Sequence, residues 1–338
     1  MRRRAVIVRL TSEPEAAPDE GQPGAAAPGR VLVIGNLDGV HRGHQAIVRA
    51  AVAVAKVRSL EPAVLTFDPH PSAVVGSTAP PLLTSLERKA ELVRRLGIVT
   101  LFARNFDASF AAWTPERFAQ DLLARCIGAK AVFVGENFRF GAGRAGDLDA
   151  LRALGASAGF ELYGFPMLRD EKGELSSSRV RTDVAGGDLE DVGLTLGRWH
   201  GFAGKVVEGD KRGRTLGFPT ANLAEVSELL PPNGVYAVAV DEVAALGAPP
   251  GRALGLGVMN IGVRPTVAGE LRRTIEVHLF DLSRDLYGAW LRVHLVARLR
   301  DERKFDGLDA LKAQIGRDVA EGRAKLEGVV PRPDGAFG

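Results

Sequence analysis

The spacing of apolar residues changes once along this chain of 338 residues, near residue 186, and this change limits the folds that are open to it. Before it, short apolar runs such as VLVIG (31–35), AVLTF (63–67) and AVFVG (131–135) alternate with segments of helical periodicity. Such runs are typical of strands that are buried on both faces. Strands that alternate with helices predict a parallel sheet covered by helices on both sides.

Three helices are also predicted before residue 186, at about 43–57, 85–96 and 115–125. One more strand is predicted at 98–102, and a helix followed by a strand is predicted over 147–168. The third helix is expected to have Thr114 as its N-cap and Pro115 in its first position. Residues 11–30 are rich in Pro, Gly and Ala and have no periodicity, so we expect a mobile loop there.

After residue 186 the apolar runs follow one another directly, with Gly and Pro turns between them. Residues 184–199 predict short helical connectors, and five strands follow at 204–209, 234–240, 254–262, 274–280 and 290–299. In the last strand, alternation predicts a buried face with Leu291, Val293, Leu295, Ala297 and Leu299, and a wet or functional face with Arg292, His294 and Arg298. The second part is therefore predicted to be a small antiparallel β-barrel.

The chain closes on a predicted helix, with Leu308, Leu311, Ile315 and Val319 along one apolar stripe. Because 338 residues exceed what one hydrophobic core usually supports, we expect two domains. Their boundaries are predicted at 1–186 and 201–338, with a linker at 187–200. The fold class is thus α/β followed by β.

Composition excludes several classes of protein. Hydrophobic residues make up 46% and charged residues 25%, which excludes a disordered chain, and no apolar stretch is long enough to span a membrane. The net charge of +3 provides no basic patch for nucleic acid. The single cysteine, Cys126, is expected to be buried and cannot form an intramolecular disulfide, which favours the reducing cytoplasm. A weak homo-oligomer remains open.

The first candidate site is GNLDGVHRGHQ (35–45), where a predicted strand gives way to a helix. The glycines Gly35, Gly39 and Gly43 allow backbone to approach a ligand closely, and the start of a helix favours anions. His41 and His44 are three residues apart and are expected to face the same way. We favour binding of a polyphosphate here, with metal ligation or two incidental surface histidines as the alternatives.

This segment resembles the HxGH element of the nucleotidylyltransferase superfamily, whose members transfer a nucleotidyl group and release pyrophosphate. The segment LSSSRVR (175–181) resembles a second element of that superfamily and has Ser178 where the superfamily usually has Thr. The resemblance implies a Rossmann-like fold and catalytic roles for His41 and His44. It also implies a set of ATP- or phosphate-binding residues: Gly35, Asn36, Asp38, Gly43, Ser177, Ser178 and Arg179. Read alone, the serines of LSSSRVR could simply cap a helix.

The second candidate site is GKVVEGDKRGRTLGFPTAN (204–222). Glycines allow the backbone to wrap around phosphates, and basic side chains supply opposite charge; the candidates for phosphate binding are Gly209, Lys211, Gly213, Arg214 and Gly217. Thr220 and Asn222 offer a hydroxyl and an amide oxygen, which suit Mg²⁺. The spacing is not that of a Walker loop, and a simple turn at FPTAN (218–222) is the alternative.

This second segment and the strands after it closely resemble the riboflavin kinase domain. Together with the elements before it, residues 30–325 resemble the bacterial family of bifunctional riboflavin kinases and FMN adenylyltransferases. The resemblance implies phosphorylation of riboflavin to FMN, then adenylylation of FMN to FAD, with ATP as co-substrate and Mg²⁺ as cofactor. The expected partners are therefore small molecules, namely riboflavin, FMN and ATP.

The resemblance also implies roles for individual residues in the second part. Thr220 and Asn222 would bind the magnesium of ATP, and Glu276 would be the general base. Alternation places Glu276, His278 and Phe280 on one strand face, which supports this role, although a surface glutamate paired with an arginine has the same pattern. Flavin-binding residues are implied at Arg300, Glu302 and Phe305 in this part.

Two segments of the first part suit a flavin as well. TFDPHP (66–71) directly follows a predicted strand and provides Asp68, and VGENFRFGAGRAGD (134–147) provides Asn137, Phe138 and Arg139. Phe138 and Phe140 are equally compatible with a place in the hydrophobic core. Two alternatives to the bifunctional activity stay open at this point: an enzyme with only the kinase half active, and a regulator that binds flavin or nucleotide without turnover.

Overall fold

The structure is a computed structural model that describes residues 6–11, 29–76, 78–209, 217–244, 251–265, 271–332 and 337. The chain divides into two compact units. The first comprises Met1–Pro80 and Arg88–Ser176, and the second comprises Pro81–Glu87 and Ser177–Gly338. Within the described ranges, no helix combines the length and the apolar composition that crossing a bilayer requires.

The first unit is built on one sheet of six parallel strands. They are β1 (Val6–Leu10), β2 (Arg30–Ile34), β3 (Glu61–Asp68), β4 (Thr100–Asn105), β5 (Ala129–Gly135) and β6 (Glu161–Phe165). Their order across the sheet is β1-β4-β3-β2-β5-β6. Two short strands, β7 (Arg169–Asp170) and β8 (Gly173–Glu174), form a separate hairpin.

Helices connect these strands. They are α1 (Arg42–Arg58), α2 (Ser72–Val75), α3 (Leu86–Arg95), α4 (Ala108–Ala111), α5 (Pro115–Arg117) and α6 (Leu148–Ala158). Thr114 caps α5 by accepting a hydrogen bond from the backbone N–H of Arg117, and Pro115 follows it, as predicted. The prediction of one α-helix over 115–125 is wrong in its second part, because Phe118–Cys126 forms a π-helix.

The prediction of a parallel α/β sheet is confirmed, with one strand missed. β2 is buried throughout and the central residues of β3 and β5 are buried, as expected of strands covered on both faces. β1 was not predicted, because its five residues VIVRL mix charge into a short apolar run at the chain start. It pairs with β4 at the edge of the sheet, where one face of a strand can stay partly exposed. Cys126 is buried, as expected.

The second unit begins with two helices, α7 (Ser177–Gly186) and α8 (Leu189–Leu196), and continues as a barrel. The barrel strands are β9 (Gly201–Val207), β10 (Ala221–Ala224), β11 (Gly234–Val243), β12 (Arg252–Pro265), β13 (Leu271–Leu279) and β14 (Trp290–Arg300). They close in the order β10-β13-β12-β11-β14-β9, with all pairings antiparallel. The chain then forms α9 (Leu308–Lys325). The predicted small barrel with a terminal helix is confirmed.

The outer face of β14 was predicted to be wet or functional, and it is not wet at two of its residues. Leu291, Val293 and Leu295 are buried inside the barrel as predicted, but Arg292 and His294 on the other face are buried too. Nε2 of His294 lies 2.8 Å from Oδ2 of Asp241, with both side chains fully buried. The cause is tertiary: residues distant in sequence reach this face, and the backbone N–H of Phe337 donates a hydrogen bond to Oδ1 of Asp241 at 2.9 Å.

The predicted apolar stripe of α9 is only partly right, because Leu311, Ile315 and Val319 are half-buried but do not form the centre of the docking face. Leu308 is 68% exposed, whereas the buried positions are Gln314, Asp318 and Gly322. Asp318 accepts hydrogen bonds from Nε and Nη2 of Arg300, at 2.8 and 2.6 Å, so this helix docks through a buried ion pair. Polar docking residues leave no trace in apolar periodicity, which is why the sequence pattern missed Gln314 and Asp318.

Close packing of α9 on β12 predicts a specific loss of stability. A Cβ atom at Gly322 would lie 2.5 Å from Cγ1 of Val258, whereas a Cβ at Gly316 on the same helix meets nothing within 4 Å. Gly322→Ala should therefore lower the free energy of unfolding of the second unit by about 1–3 kcal/mol through overpacking. Gly316→Ala should raise it by about 0.5–1 kcal/mol, because alanine favours helix. Urea denaturation of the two variants measures both changes, and equal stability of the two would contradict this packing.

Candidate active sites in the two units

The strand order of the first unit identifies where a ligand can bind. β2 lies between β3 on one side and β5 on the other, so the chain reverses its direction of travel across the sheet at β2. In open α/β sheets, ligands bind beyond the carboxyl ends of the strands at such a switch point. The chain continues from the end of β2 into the segment with His41 and His44, and from the end of β5 into the segment with Asn137. The sequence analysis identified both segments as candidate binding sites.

The segment after β2 is a tight elbow. A 3₁₀ turn covers Asp38–Val40, and α1 starts after His41, which has extended backbone and no capping hydrogen bond from its side chain. Leu37, Gly39 and Val40 have positive φ angles of 47°, 77° and 42°. For a β-branched residue such as Val40 this conformation is strained, and strained backbone of this kind clusters at functional sites.

The two histidines of the elbow stack on each other. Their ring centroids lie 3.7 Å apart with an interplanar angle of 26°, which agrees with the predicted common direction. A Cβ atom at Gly43 would lie 3.0 Å from the His41 ring, so glycine lets this ring lie against the helix backbone. At Gly35 a side chain would meet only ordinary contacts, so no steric demand for glycine exists there.

Hydrogen bonds tie the elbow to its neighbours. The hydroxyl of Thr66 on β3 donates to the carbonyl oxygen of Asn36 at 3.1 Å. The Asn36 side-chain amide donates a hydrogen bond to Nε2 of His70 at 2.9 Å, and Nδ1 of that ring then carries the proton and donates to the Ser72 hydroxyl oxygen at 2.6 Å. Asn36 is therefore fixed through its main chain and its side chain, at the residue where the elbow begins.

The flavin-binding residues predicted in the first unit lie at the ends of β3 and β5. Asp68 is 44% exposed and forms an ion pair with Arg9 at 3.2 Å. Asn137 and Arg139 are exposed after β5, while Phe138 is half-buried and stacks on Phe140 with centroids 5.7 Å apart.

Phe140 belongs to the core. It is buried and packs against Phe118. Of the two roles that the sequence left open for this ring, core packing and flavin contact, the structure therefore favours core packing. Phe138 packs at the margin of the same core.

Ser177, Ser178 and Arg179 lie at the start of α7, in the second unit. Arg179 is partly buried, and its Nε lies 3.8 Å from Oδ2 of Asp183 one turn later. The carbonyl oxygen of Ser178 accepts a hydrogen bond from the Thr182 hydroxyl. These residues thus occupy the first turn of a helix, where backbone N–H groups favour an anion.

In the barrel, strand register brings three polar residues into a row. Asn222 on β10 and Asn260 on β12 are the direct partners of Glu276 on β13, one on each side. Partners across antiparallel strands have neighbouring side chains on one face of the sheet. Ile275 and Val277 are buried inside the barrel, so the row lies on its outer face. A carboxylate between two amides can accept a proton while its position stays defined.

The glycine segment before this row is described only in part. A Cβ at Gly209 would overlap the Asn222 amide, so the glycine backbone lies directly against that side chain. Gly217 has a positive φ of 90°, a conformation that glycine adopts without strain. The predicted phosphate-binding residues Lys211, Gly213 and Arg214 lie outside the described residues.

His278 is a residue of this site to which the sequence analysis gave no role. Its Nδ1 lies 2.8 Å from the carbonyl oxygen of Pro219, and because a carbonyl only accepts, Nδ1 carries the proton. The ring of Phe218 packs edge-on against it at 5.5 Å. His278 thus anchors the residues directly before Thr220, and its place on the face of Glu276 was the signal that could have revealed it.

The three residues predicted to bind flavin in the second unit follow β14. Arg300 forms the bidentate pair with Asp318 described above, and its guanidinium lies 5.8 Å from the Phe305 ring centroid. The side-chain amide of Asn233 donates a hydrogen bond to Oε2 of Glu302 at 3.4 Å. Their flavin contacts stay a prediction. Among the described residues, no group of three or more His, Cys, Asp or Glu side chains could hold a metal ion.

The fold and these two sites define a class of protein. The first unit has a parallel sheet whose switch point is a ligand-binding position, and the second has a barrel with a carboxylate that can accept a proton. These features fit a two-part transferase that acts on phosphate compounds.

Comparisons with known proteins identify the family. The family described as FAD synthetase matches residues 25–179, and the family described as riboflavin kinase matches residues 196–326. The bifunctional riboflavin kinase/FMN adenylyltransferase of Escherichia coli K12 is 41% identical over 296 residues, covering 87% of this chain and 92% of that protein. The protein of the same name from Bacillus subtilis is 36% identical, and the match covers 86% of this chain and 90% of that protein. The chain belongs to the bifunctional riboflavin kinase/FMN adenylyltransferase family.

A solved structure supports the same fold. A crystal structure from Streptococcus pneumoniae, described as a macrolide-efflux protein, has a TM-score of 0.78 and 28% sequence identity to this chain. The alignment covers 94% of this chain and 99% of that one.

Proposed function

We propose that this protein phosphorylates riboflavin to FMN and adenylylates FMN to FAD with release of pyrophosphate, using ATP in both reactions. The observation that carries this proposal is that each family match includes one of the two motif sets. The FAD synthetase match includes His41, His44 and Arg179, and the riboflavin kinase match includes Asn222 and Glu276. The proposed boundaries are 1–186 for the adenylyltransferase domain, 187–200 for the linker and 201–338 for the kinase domain.

In the kinase reaction, the terminal ribityl hydroxyl of riboflavin attacks the γ-phosphorus of ATP. The new O–P bond forms as the bond to ADP breaks, and Glu276 accepts the hydroxyl proton. Asn222 and Asn260 are the direct partners of Glu276 on the neighbouring strands, and their amides are proposed to hold this carboxylate in place. The glycine segment, including Gly209 and Gly217, is proposed to bind the phosphates, and Arg300, Glu302 and Phe305 are proposed to bind the flavin.

A magnesium ion is proposed at Thr220 and Asn222. Both side chains offer oxygen ligands, and the contact of Asn222 with the Gly209 backbone brings it beside the proposed phosphate segment. Magnesium binds through one or two protein oxygens together with phosphate and water, so it does not need a cluster of acidic residues. When bound, it neutralises charge on the β- and γ-phosphates.

In the adenylylation reaction, an FMN phosphate oxygen attacks the α-phosphorus of ATP, and the bond to the pyrophosphate leaving group breaks. No proton has to move, because the nucleophile is already an anion. The proposed role of His41 and His44 is to donate hydrogen bonds to the charge that develops on the leaving group. Gly35, Asn36, Asp38, Gly43, Ser177, Ser178 and Arg179 are proposed to bind ATP, and Asp68, Asn137, Phe138 and Arg139 the flavin.

A product assay tests the whole proposal. Riboflavin, ATP and Mg²⁺ are incubated with the protein, and the flavins are separated by chromatography over time. We expect FMN first, then FAD together with pyrophosphate. FMN alone would favour an enzyme with only the kinase half active, and bound flavin without product would favour a regulator. We also propose a cytoplasmic location, which rests on the single cysteine.

Glu276→Gln tests the general base with minimal change of shape. Loss of the proton acceptor should lower the rate of FMN formation by roughly 10²- to 10⁴-fold, the usual contribution of a positioned base. FAD formation from added FMN should stay unchanged. Glu321→Gln, an identical change at an exposed position on α9, is the matched control and should leave both rates alone. An unchanged kinase rate in the Glu276 variant would remove this residue from the role.

His44→Ala tests the elbow. Because one donor to the developing charge is lost, FAD formation should fall by roughly 10²-fold or more. Riboflavin phosphorylation by the same protein serves as an internal control and should continue, so that FMN accumulates. A variant that makes FAD at the parental rate would contradict the proposed role of the stacked histidines.

A further inference from the structure

A buried lysine on α3 has no part in the reactions described so far. Lys89 is 6% exposed, and its Nζ donates a hydrogen bond to the hydroxyl oxygen of Thr66 at 3.1 Å. Lysine is almost never fully buried unless its charge is paired, and transfer of an ammonium group from water costs free energy. An apolar residue would fill a purely structural position at lower cost, so the charge itself calls for an explanation.

The hydrogen bond from Lys89 continues into the elbow. A hydroxyl has one proton, and Thr66 donates that proton to the carbonyl oxygen of Asn36 at 3.1 Å. The lone pairs of the Thr66 oxygen are then available to accept from Lys89. The three groups therefore form a hydrogen-bond chain in which each group donates to the next. It runs from Lys89 on α3 through Thr66 on β3 to Asn36 after β2.

The position of Asn36 makes this chain relevant to the histidines. Leu37 and Val40, directly after it, have the positive φ angles given above. Strained backbone persists only where surrounding contacts hold it in place. The Thr66 hydrogen bond holds the main chain immediately before the strained residues, and Lys89 fixes the orientation of the Thr66 hydroxyl.

The charges around Lys89 point to the same site. Burial lowers the pKa of Lys89, and the nearby carboxylates of Asp38 and Asp68 act in the opposite direction. Asp38 is itself buried within the elbow, and Asp68 lies at the end of β3. Asp68 also pairs with Arg9. The Lys89 ammonium offsets the charge of the buried Asp38 carboxylate, so that Asp38 can lie in the proposed ATP site without repelling the phosphates.

We propose that Lys89 is a positioning residue for FMN adenylylation. Through Thr66 it holds Asn36 and the elbow in the conformation that presents His41 and His44 to ATP, and its charge balances Asp38. This role rests on the proposed adenylyltransferase function of the first unit, and it concerns no atom that reacts.

Lys89→Met provides the main test, because methionine keeps the length of the side chain and removes its charge and its donor. The kcat of FAD formation should fall roughly 10- to 100-fold through misplacement of the elbow, with less than threefold change in the KM for ATP. Riboflavin phosphorylation by the same protein should stay within twofold. The melting temperature should fall only moderately, because the loss of the desolvation cost of Lys89 offsets part of the cost of leaving the Asp38 carboxylate unbalanced.

Two further variants separate this role from a general effect. Thr66→Val removes the linking hydroxyl at constant shape and should reproduce the loss, and the double variant should be no worse than either single one, because both act through one chain. Lys56→Met, on the exposed surface of α1, makes the same substitution away from the elbow and should change nothing.

The outcomes are distinguishable. FAD formation by Lys89→Met within twofold of the unsubstituted protein would overturn the role of Lys89 alone, and so would a joint loss of both activities with a lowered melting temperature. If Lys89→Met does not fold, Thr66→Val decides, and full activity of that variant overturns the proposal. An unsubstituted protein that makes no FAD would overturn the proposed function itself.

Discussion

The pairing of strands by backbone hydrogen bonds is the constraint on which both sites depend. In the first unit, β2 pairs with β3 and with β5, and this arrangement creates the switch point at which the histidine elbow lies. In the second unit, the register of β13 against β10 and β12 places Glu276 between Asn222 and Asn260. A shift of either register by one residue would move Glu276 to the opposite face and separate the row.

The two sites use this scaffold in different ways. The barrel site is built largely on strands, and His278 adds the hydrogen bond to Pro219 that anchors the loop before Thr220. The elbow is a short segment with strained backbone, so it needs contacts from outside itself. Thr66 and His70 supply those contacts around Asn36. The positions of the side chains are therefore fixed by strand register in the barrel site and by hydrogen bonds around Asn36 in the elbow.

Sequence reasoning failed where polar residues are buried. His294 and Asp241 pair on the outer face of the barrel, and Asp318 docks α9 through Arg300. Alternation and helical periodicity detect buried faces through their apolar residues, so both methods assign such faces to solvent. The error over the outer face of β14 and the missed polar positions of α9 share this physical cause.

The sequence by itself determined the α/β and β parts, the position of most strands, and the motifs with His41, His44 and Glu276. The fold parts follow from short-range periodicity. The motifs were found by residue type and spacing, and the roles predicted for them come from the family resemblance. The strand order, the place of Glu276 between two amides, the anchoring role of His278 and the chain from Lys89 to Asn36 were decided by tertiary structure alone. Each of them joins residues that are far apart in sequence, and no local pattern carries the pairing of distant strands and helices.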